Sequence, residues 1–197
     1  MFYALNSSSF SKTLNMKKLY KILVMSVVAF SMIFSTNFGY AQKNKQDSRI
    51  VVDSKNAQME FIKADPLMKN LFNTAHAYVI FPNIGKGGLG IGGAMGKGVV
   101  FMRGVIIGTA RMTQLTIGFQ TGGQAYREVI FFENESVLKD FKNNKIEFSG
   151  QASAVIATEG AAGNVKYKNG VMIFTQPKGG LMYEASIGGQ KFKFRPN

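Results

Sequence analysis

Few side chains of this sequence have the types and spacing that catalysis needs. The 197 residues include one histidine, His76, and no cysteine, so hydrolytic triads and zinc sites built from Cys and His lack their components. Glu128, Glu133 and Glu135 are close in sequence, but they flank a strand end and a helix start, where acidic residues favour the helix dipole. We expect a protein that is not an enzyme, with no cofactor and no metal site.

One glycine pattern resembles a nucleotide-binding motif. Gly88-x-Gly90-x-x-Gly93 has the spacing of a dinucleotide-binding loop, but such a loop must open a helix whose N-terminus receives the pyrophosphate. The residues that follow, Val99-Val100-Phe101, have strand composition. A phosphate-binding loop ending in Gly96-Lys97 would need Ser or Thr where Gly98 stands. The pattern therefore favours neither site.

The same segment has a period of two. Lys86 to Val100 reads KGGLGIGGAMGKGVV, with a small residue at every second position from Gly88 to Gly98. Successive side chains of a strand point to opposite faces, so one face would be bare and the other would carry larger side chains. Glycine inside a strand costs about 0.5–1 kcal/mol relative to alanine, so we expect a helix, another backbone or an acyl chain against the bare face. The larger side chains are Leu89, Ile91, Met95, Lys97 and Val99.

These blocks resemble the SYLF-type lipid-binding domain, a family with bacterial exported and eukaryotic phosphoinositide-binding members. The resemblance rests on Ala75 to Pro82, on Lys86-Gly87-Gly88 with the spaced glycines, and on Gly118 to Gln124. It runs from about Ala57 to the C-terminus. Many relatives have Trp and Pro where this chain reads Ile107-Gly108-Thr109-Ala110-Arg111. The resemblance implies a non-enzymatic domain with affinity for anionic phospholipid.

The pattern after Pro82 is β nearly throughout, interrupted by a helix with an N-cap at Asn134 that runs to Phe141. Asn169-Gly170, between Val165–Lys168 and Val171–Phe174, is a strong hairpin signal. We therefore expect an α+β fold: a curved antiparallel sheet or partly closed barrel, with N-terminal helices packed on it and one helix inserted near 134–143. The predicted strands are Tyr78–Phe81, Gly88–Phe101, Val105–Arg111, Leu115–Phe119, Ala125–Phe132, Leu181–Ile187 and Phe192–Arg195, besides the two that flank Asn169.

Two helices are expected before the sheet. The first starts with Asp53 or Ser54 as N-cap, and Asp65-Pro66 caps the second. Their apolar residues recur at helical spacing and are expected to cover the sheet. Those residues are Ala57, Phe61 and Ile62 in the first helix, and Leu67, Met68, Leu71, Phe72 and Ala75 in the second.

The N-terminal 41 residues have the pattern of an extension with a secretory signal peptide. Lys17, Lys18 and Lys21 precede an apolar run of 13 residues, Ile22–Phe34, which is shorter than the roughly 20 residues of a membrane span. Met16 is the expected start and Ala41 the expected last residue before cleavage. We expect a flexible lead-in over 42–52, a single domain over 53–197, and a periplasmic, outer-membrane-associated or secreted protein.

The net charge of the chain predicts the chemical class of its partner. The chain has a formal net charge of +13, and after removal of residues 1–41 it would carry 20 basic and 11 acidic residues, a net charge of +9. Such a surface favours anionic partners, and export disfavours nucleic acid among them. The alternative is an envelope protein-interaction or structural module without lipid specificity. The expected lipid-binding residues are Lys86, Lys97, Arg103, Arg111, Lys191, Lys193 and Arg195, of which the last three alternate with Phe192 and Phe194.

Overall fold

The structure is a computed structural model that describes residues 20–21, 23–25, 47–119, 124–146, 154–179 and 189–197, with the backbone only at 88–91, 116–119 and 124. The chain forms two compact units, 1–48 and 49–197. The predicted apolar run and cleavage site, and the predicted strand Leu181–Ile187, lie almost wholly outside the described residues. Among the helices that are described, none is long and apolar enough to span a membrane.

The second unit is built on one sheet. Its described strands lie in the order β4–β5–β3–β1–β2–β6, and the sheet is curved but not closed. The predicted α+β fold is confirmed, although the sheet is mixed, because β4 pairs parallel to β5. Residues 157–170 supply the long connection that a parallel pair needs. The strands are β1 (Ala77–Met102), β2 (Val105–Phe119), β3 (Gln124–Phe132), β4 (Val155–Ile156), β5 (Val171–Pro177) and β6 (Gln190–Pro196).

β1 is longer than predicted. The segments Tyr78–Phe81 and Gly88–Phe101 belong to one strand of 26 residues, since the chain passes Pro82 through an irregularity in the pairing between Phe81 and Ile84 instead of turning. The first part of β1 pairs with β3, and the part from Leu89 onward pairs with β2. β2 likewise joins two predicted strands into one of 15 residues.

β1 and β2 form a hairpin with an irregular register. Its turn is Arg103-Gly104, and both residues have positive φ, 50° and 79°. Next to the turn, Phe101 pairs with Ile106 and Val100 pairs with Gly108. Ile107 is therefore an extra residue, a β-bulge.

The curvature of the sheet creates two unlike faces. On the inner face, the rings of Phe81 in β1 and Phe192 in β6 are 5.9 Å apart although β2 lies between these strands. Helix α3 (Glu135–Lys142) covers this face with Leu138 and Phe141. Its predicted cap is confirmed, because the Val137 backbone N–H donates to Asn134 Oδ1 at 3.2 Å.

The N-terminal helices cover part of the outer face. Helical backbone runs over residues 47–64, and its part inside the second unit, 49–64, is α1; α2 is Met68–Thr74. Ala57, Phe61 and Phe72 pack against Tyr78 and Phe131 of the sheet, as predicted. Of the other residues predicted to cover the sheet, Ile62 and Leu71 are half-buried, and Met68 and Ala75 are buried.

Three predictions about the helices and turns were wrong. Asp53 and Ser54 lie inside α1, which begins before them, so neither residue caps the helix. Ser54 is buried on the face of α1 that packs on the sheet, and its hydroxyl donates to the Ile80 carbonyl oxygen at 3.5 Å. Leu67 is 50% exposed because it lies in the turn that precedes α2. The Asn169-Gly170 turn exists, but before it only Lys168 forms a β-bridge.

The cap at Asp65 connects two parts of the chain. Its Oδ1 accepts the Leu67 N–H at 3.1 Å, as expected of a residue that begins a helical turn. Its Oδ2 accepts the Ala162 N–H at 2.7 Å, 97 residues away. The carboxylate therefore fixes α2 to the short 3₁₀ turn at Ala161–Gly163.

Candidate functional site

Three predicted lipid-binding residues form a row across the sheet. Lys97 in β1 pairs with Arg111 in β2, and Arg111 pairs in turn with Lys193 in β6. Side chains of directly paired residues lie on the same face with Cβ atoms about 4.5–5.5 Å apart. All three are exposed, so the row lies on the outer face, beyond the part that the helices cover.

Two further cations lie on either side of this row. Lys191 pairs with Thr113, and Arg195 pairs with Thr109; both basic residues are exposed. The intervening Phe192 is buried and Phe194 is half-buried on the inner side, so the predicted alternation in β6 is confirmed. We call these five residues the basic face: Lys97, Arg111, Lys191, Lys193 and Arg195.

The other two predicted residues lie elsewhere. Lys86 pairs with Gln124 of β3, outside the part of the sheet formed by β1, β2 and β6. Arg103 is in the hairpin turn and lines a shallow pocket of about 800 Å³ with His76 and Glu133. The structure therefore brings together five of the seven residues predicted to bind lipid.

The electrostatics of the basic face are unfavourable for folding. Like charges directly opposite each other in a sheet are destabilising, and no carboxylate of the described residues pairs with Lys97, Arg111 or Lys193. The ion pair found among those residues joins Arg127 to Glu60 elsewhere, with 3.6 Å between Nη1 and Oε2. The row therefore has a repulsive cost that an anionic ligand would relieve.

Two large apolar side chains share the outer face with these cations. Met95 is 67% exposed and Leu115 is 70% exposed. Met95 pairs with Thr113, and Leu115 pairs with Gly93, which has no side chain to cover it. The alternating pattern of the glycine segment indicated that Met95 lies on this face. That Leu115 lies next to Met95 follows from the pairing register of β1 and β2.

The bare face of the glycine segment packs against the protein itself. A Cβ atom at Gly98 would lie 2.5 Å from the Ile80 carbonyl oxygen and 2.7 Å from Cδ1 of Phe81. At Gly96 it would lie 2.8 Å from Cγ1 of Ile84. Of the expected contacts for the bare face, neighbouring backbone and side chains are the ones found at these two positions.

The inner face contains a polar cluster that the sequence did not reveal. Glu128 in β3 is completely buried, and its Oε2 accepts a hydrogen bond from Gln190 Nε2 in β6 at 2.9 Å. Burial raises the pKa of Glu128 to about 7, and the bond from Gln190 opposes this rise. Burial, with the charge of Glu128, also raises the pKa of the nearby Tyr126. The bond connects strands that are not neighbours in the sheet.

The described residues contain no group of three or more His, Cys, Asp or Glu side chains that could hold a metal ion. His76 lies at the start of β1, and its Nε2 is buried without a hydrogen-bond partner in the described part of the chain. Gly88 to Gly93 lie within β1, so no helix begins after the glycine pattern. The prediction that a strand, and not a helix, contains and follows the glycine pattern is therefore confirmed.

Comparison with known proteins identifies relatives of the chain. The family model Ysc84, described as "Las17-binding protein actin regulator", matches residues 113–197. This span contains the later part of β2 and β3 to β6, and thus Lys191, Lys193 and Arg195 of the basic face.

A curated relative covers more of the chain. Beta cell expansion factor A of Aeromonas veronii is 27% identical over 153 residues, which is 76% of this chain and 58% of the relative. The chain thus spans less than two thirds of the length of that protein, which is a member of the Ysc84 family.

Proposed function

We propose that the chain is a member of the Ysc84 family, also called SYLF, whose model matches residues 113–197, and that it binds anionic phospholipid through the basic face. The family is a lipid-binding domain family, and its domain is a non-enzymatic one. The proposed protein is likewise non-catalytic and exported, and meets a bilayer in the periplasm, at the outer membrane or outside the cell.

The row of Lys97, Arg111 and Lys193 is the observation that carries this proposal. Three cations in register, without a carboxylate partner among the described residues, form a flat positive surface that matches a layer of phosphate groups better than a single anion. A cation near an anionic membrane surface contributes about 1 kcal/mol to binding, and salt screens that contribution.

Vesicle co-sedimentation of the full chain tests the proposal. We expect binding to equimolar phosphatidylcholine and phosphatidylglycerol at low salt, release at high salt, and no binding to phosphatidylcholine. The triple substitution Lys97→Gln, Arg111→Gln, Lys193→Gln should weaken binding by about 100-fold, since three contributions of about 1 kcal/mol are lost.

A matched control removes three positive charges elsewhere. Lys69, Lys139 and Lys166 are exposed and lie on α2, on α3 and in the connection before β5. Their replacement by Gln changes the net charge equally and should weaken binding much less. Equal losses in both triple variants would mean that net charge, and not the basic face, attracts the lipid.

A protein partner is the second candidate, because the description of the family names a protein, Las17, that a relative binds. An apolar protein interface would resist salt and would not distinguish the two vesicle compositions. The same salt titration therefore separates an envelope protein-interaction module from a lipid-binding one.

A further inference from the structure

The outer face of β1, β2 and β6 changes in character along the strands. Gly93, Leu115 and Met95 form an apolar end, and the row of Lys97, Arg111 and Lys193 follows. One step further, Val99 is completely buried among the residues that pack with α1 and α2. Along β1 and β2, the exposed surface therefore runs from apolar side chains, through the cations of the row, to the covering helices. In β6, Lys191 lies level with Met95, because both are paired with Thr113.

The apolar end and the cations are close enough to act on one ligand. A strand rises about 3.4 Å per residue, so Met95 and Lys97 are about 7 Å apart along β1. Met95 and Leu115 are diagonal neighbours across the hairpin, within reach of each other's long side chains. The apolar pair and the cationic row thus form one continuous amphipathic surface.

The charges of this surface select among possible occupants. Among the described residues, Lys97, Arg111 and Lys193 have no carboxylate partner. A second copy of the chain would bring the same cations into contact with them. An anionic bilayer supplies phosphates at the level of the cations and, immediately below, acyl chains at the level of the apolar pair.

We propose that Met95 and Leu115 enter the boundary between headgroups and acyl chains while Lys97, Arg111 and Lys193 contact the phosphates. This inference rests on the proposed lipid binding. It adds how the protein is oriented on the bilayer and how deeply it enters. Lys and Arg suit such a position, because their aliphatic stems lie along apolar surface while the charged ends reach the phosphates.

A site-specific fluorophore tests the insertion. The chain contains no cysteine, so Leu115→Cys in the full chain creates a unique site for an environment-sensitive label, and Met59→Cys on α1 provides an exposed control, since Met59 is 61% exposed. With equimolar phosphatidylcholine and phosphatidylglycerol vesicles, the label at position 115 should shift to the blue and brighten, and the label at position 59 should not.

Substitution supplies a second test. Met95→Ser with Leu115→Ser should weaken vesicle binding at low salt by about tenfold. The matched control is Met59→Ser with Leu67→Ser, two exposed residues of the same types, on α1 and in the turn that precedes α2, which should leave binding unchanged.

The possible failures are distinguishable. If the full chain binds the vesicles and loses affinity in the basic triple variant, but the label at position 115 does not respond, the insertion is wrong and the lipid binding stands. If the full chain binds no vesicles, both proposals are wrong. A blue shift that depends on protein concentration without vesicles would overturn the insertion in favour of self-association through this face.

Discussion

Two regions of β1 differ in what covers them. Near its start, Tyr78 and Ile80 are buried under α1 and α2 on one face, while Val79 and Phe81 are buried on the other. Around Met95 and Lys97, the inner face is packed, and these two side chains of the outer face are exposed. One strand is thus a core element at its start and a one-sided surface around Met95 and Lys97.

This difference separates stability from function. Residues at the start of β1 are fixed by packing on both faces, so their identity is explained by the fold. Packing does not explain the outer side chains of the later part, where Lys97 opposes Arg111 at a repulsive cost. The part of the sheet that the helices leave uncovered is therefore where we place the ligand.

The largest expected effect on the free energy of unfolding is at the start of β1. Ile80→Ala removes a completely buried side chain and should lower the free energy of unfolding by about 2–5 kcal/mol. Met95→Ala, in the exposed part of the same strand, should change it by less than about 0.5 kcal/mol. Urea unfolding of both variants checks the contrast, and similar losses would show that both positions are buried alike.

The next effect concerns the packed inner face of the later part. Gly98→Ala would place a Cβ atom 2.5 Å from the Ile80 carbonyl oxygen and should cost about 1–3 kcal/mol by overpacking. Gly87→Ala is the control, because a Cβ atom there meets nothing within 4 Å. Thermal unfolding should show a lower Tm for the first variant only; a normal Tm for Gly98→Ala would contradict the close approach.

A smaller effect depends on pH. The pKa of Glu128 is raised by burial to about 7, above its unfolded value, so its stabilising contribution is complete at low pH and is lost as the pH rises through the folded pKa. The free energy of unfolding should fall by about 1 kcal/mol between about pH 6 and pH 8. Glu128→Gln should flatten this dependence, and an unchanged slope would assign it to another group.

The smallest effect is at the basic face. Lys97→Gln removes one of three adjacent like charges and should leave stability within about 0.5 kcal/mol, or raise it slightly at low salt. Urea unfolding at low and high salt measures this. A clear loss of stability would mean that Lys97 has a structural partner, and its proposed role in binding would weaken.

Local signals were sufficient for much of the fold. Alternating glycines predicted a strand, Asn134 predicted the cap of α3, and Asn169-Gly170 predicted a turn, because each depends on a few neighbouring residues. The alternation of Lys191, Lys193 and Arg195 with phenylalanines likewise placed three cations on one face. Such features follow from backbone geometry within a single element.

Features that depend on distant parts of the chain were missed. The burial of Glu128 requires β6 to come across the inner face and supply Gln190, and no local pattern encodes that approach. The separation of Lys86 and Arg103 from the other five cations depends on which strands β1 pairs with. α1 begins before Asp53, and the tertiary contact between Ser54 and the sheet accounts for this earlier start.

The bulge at Ile107 determines the composition of both faces of β2. In an uninterrupted hairpin closed by Arg103-Gly104, Phe101 would still face Ile106, but Lys97 would then face Ala110. Since a slip of one residue exchanges the faces of a strand, Arg111 would point into the core and Met112 into water. A single extra residue thus determines which side chains of β2 lie on the outer face, and the proposed membrane surface exists because of it.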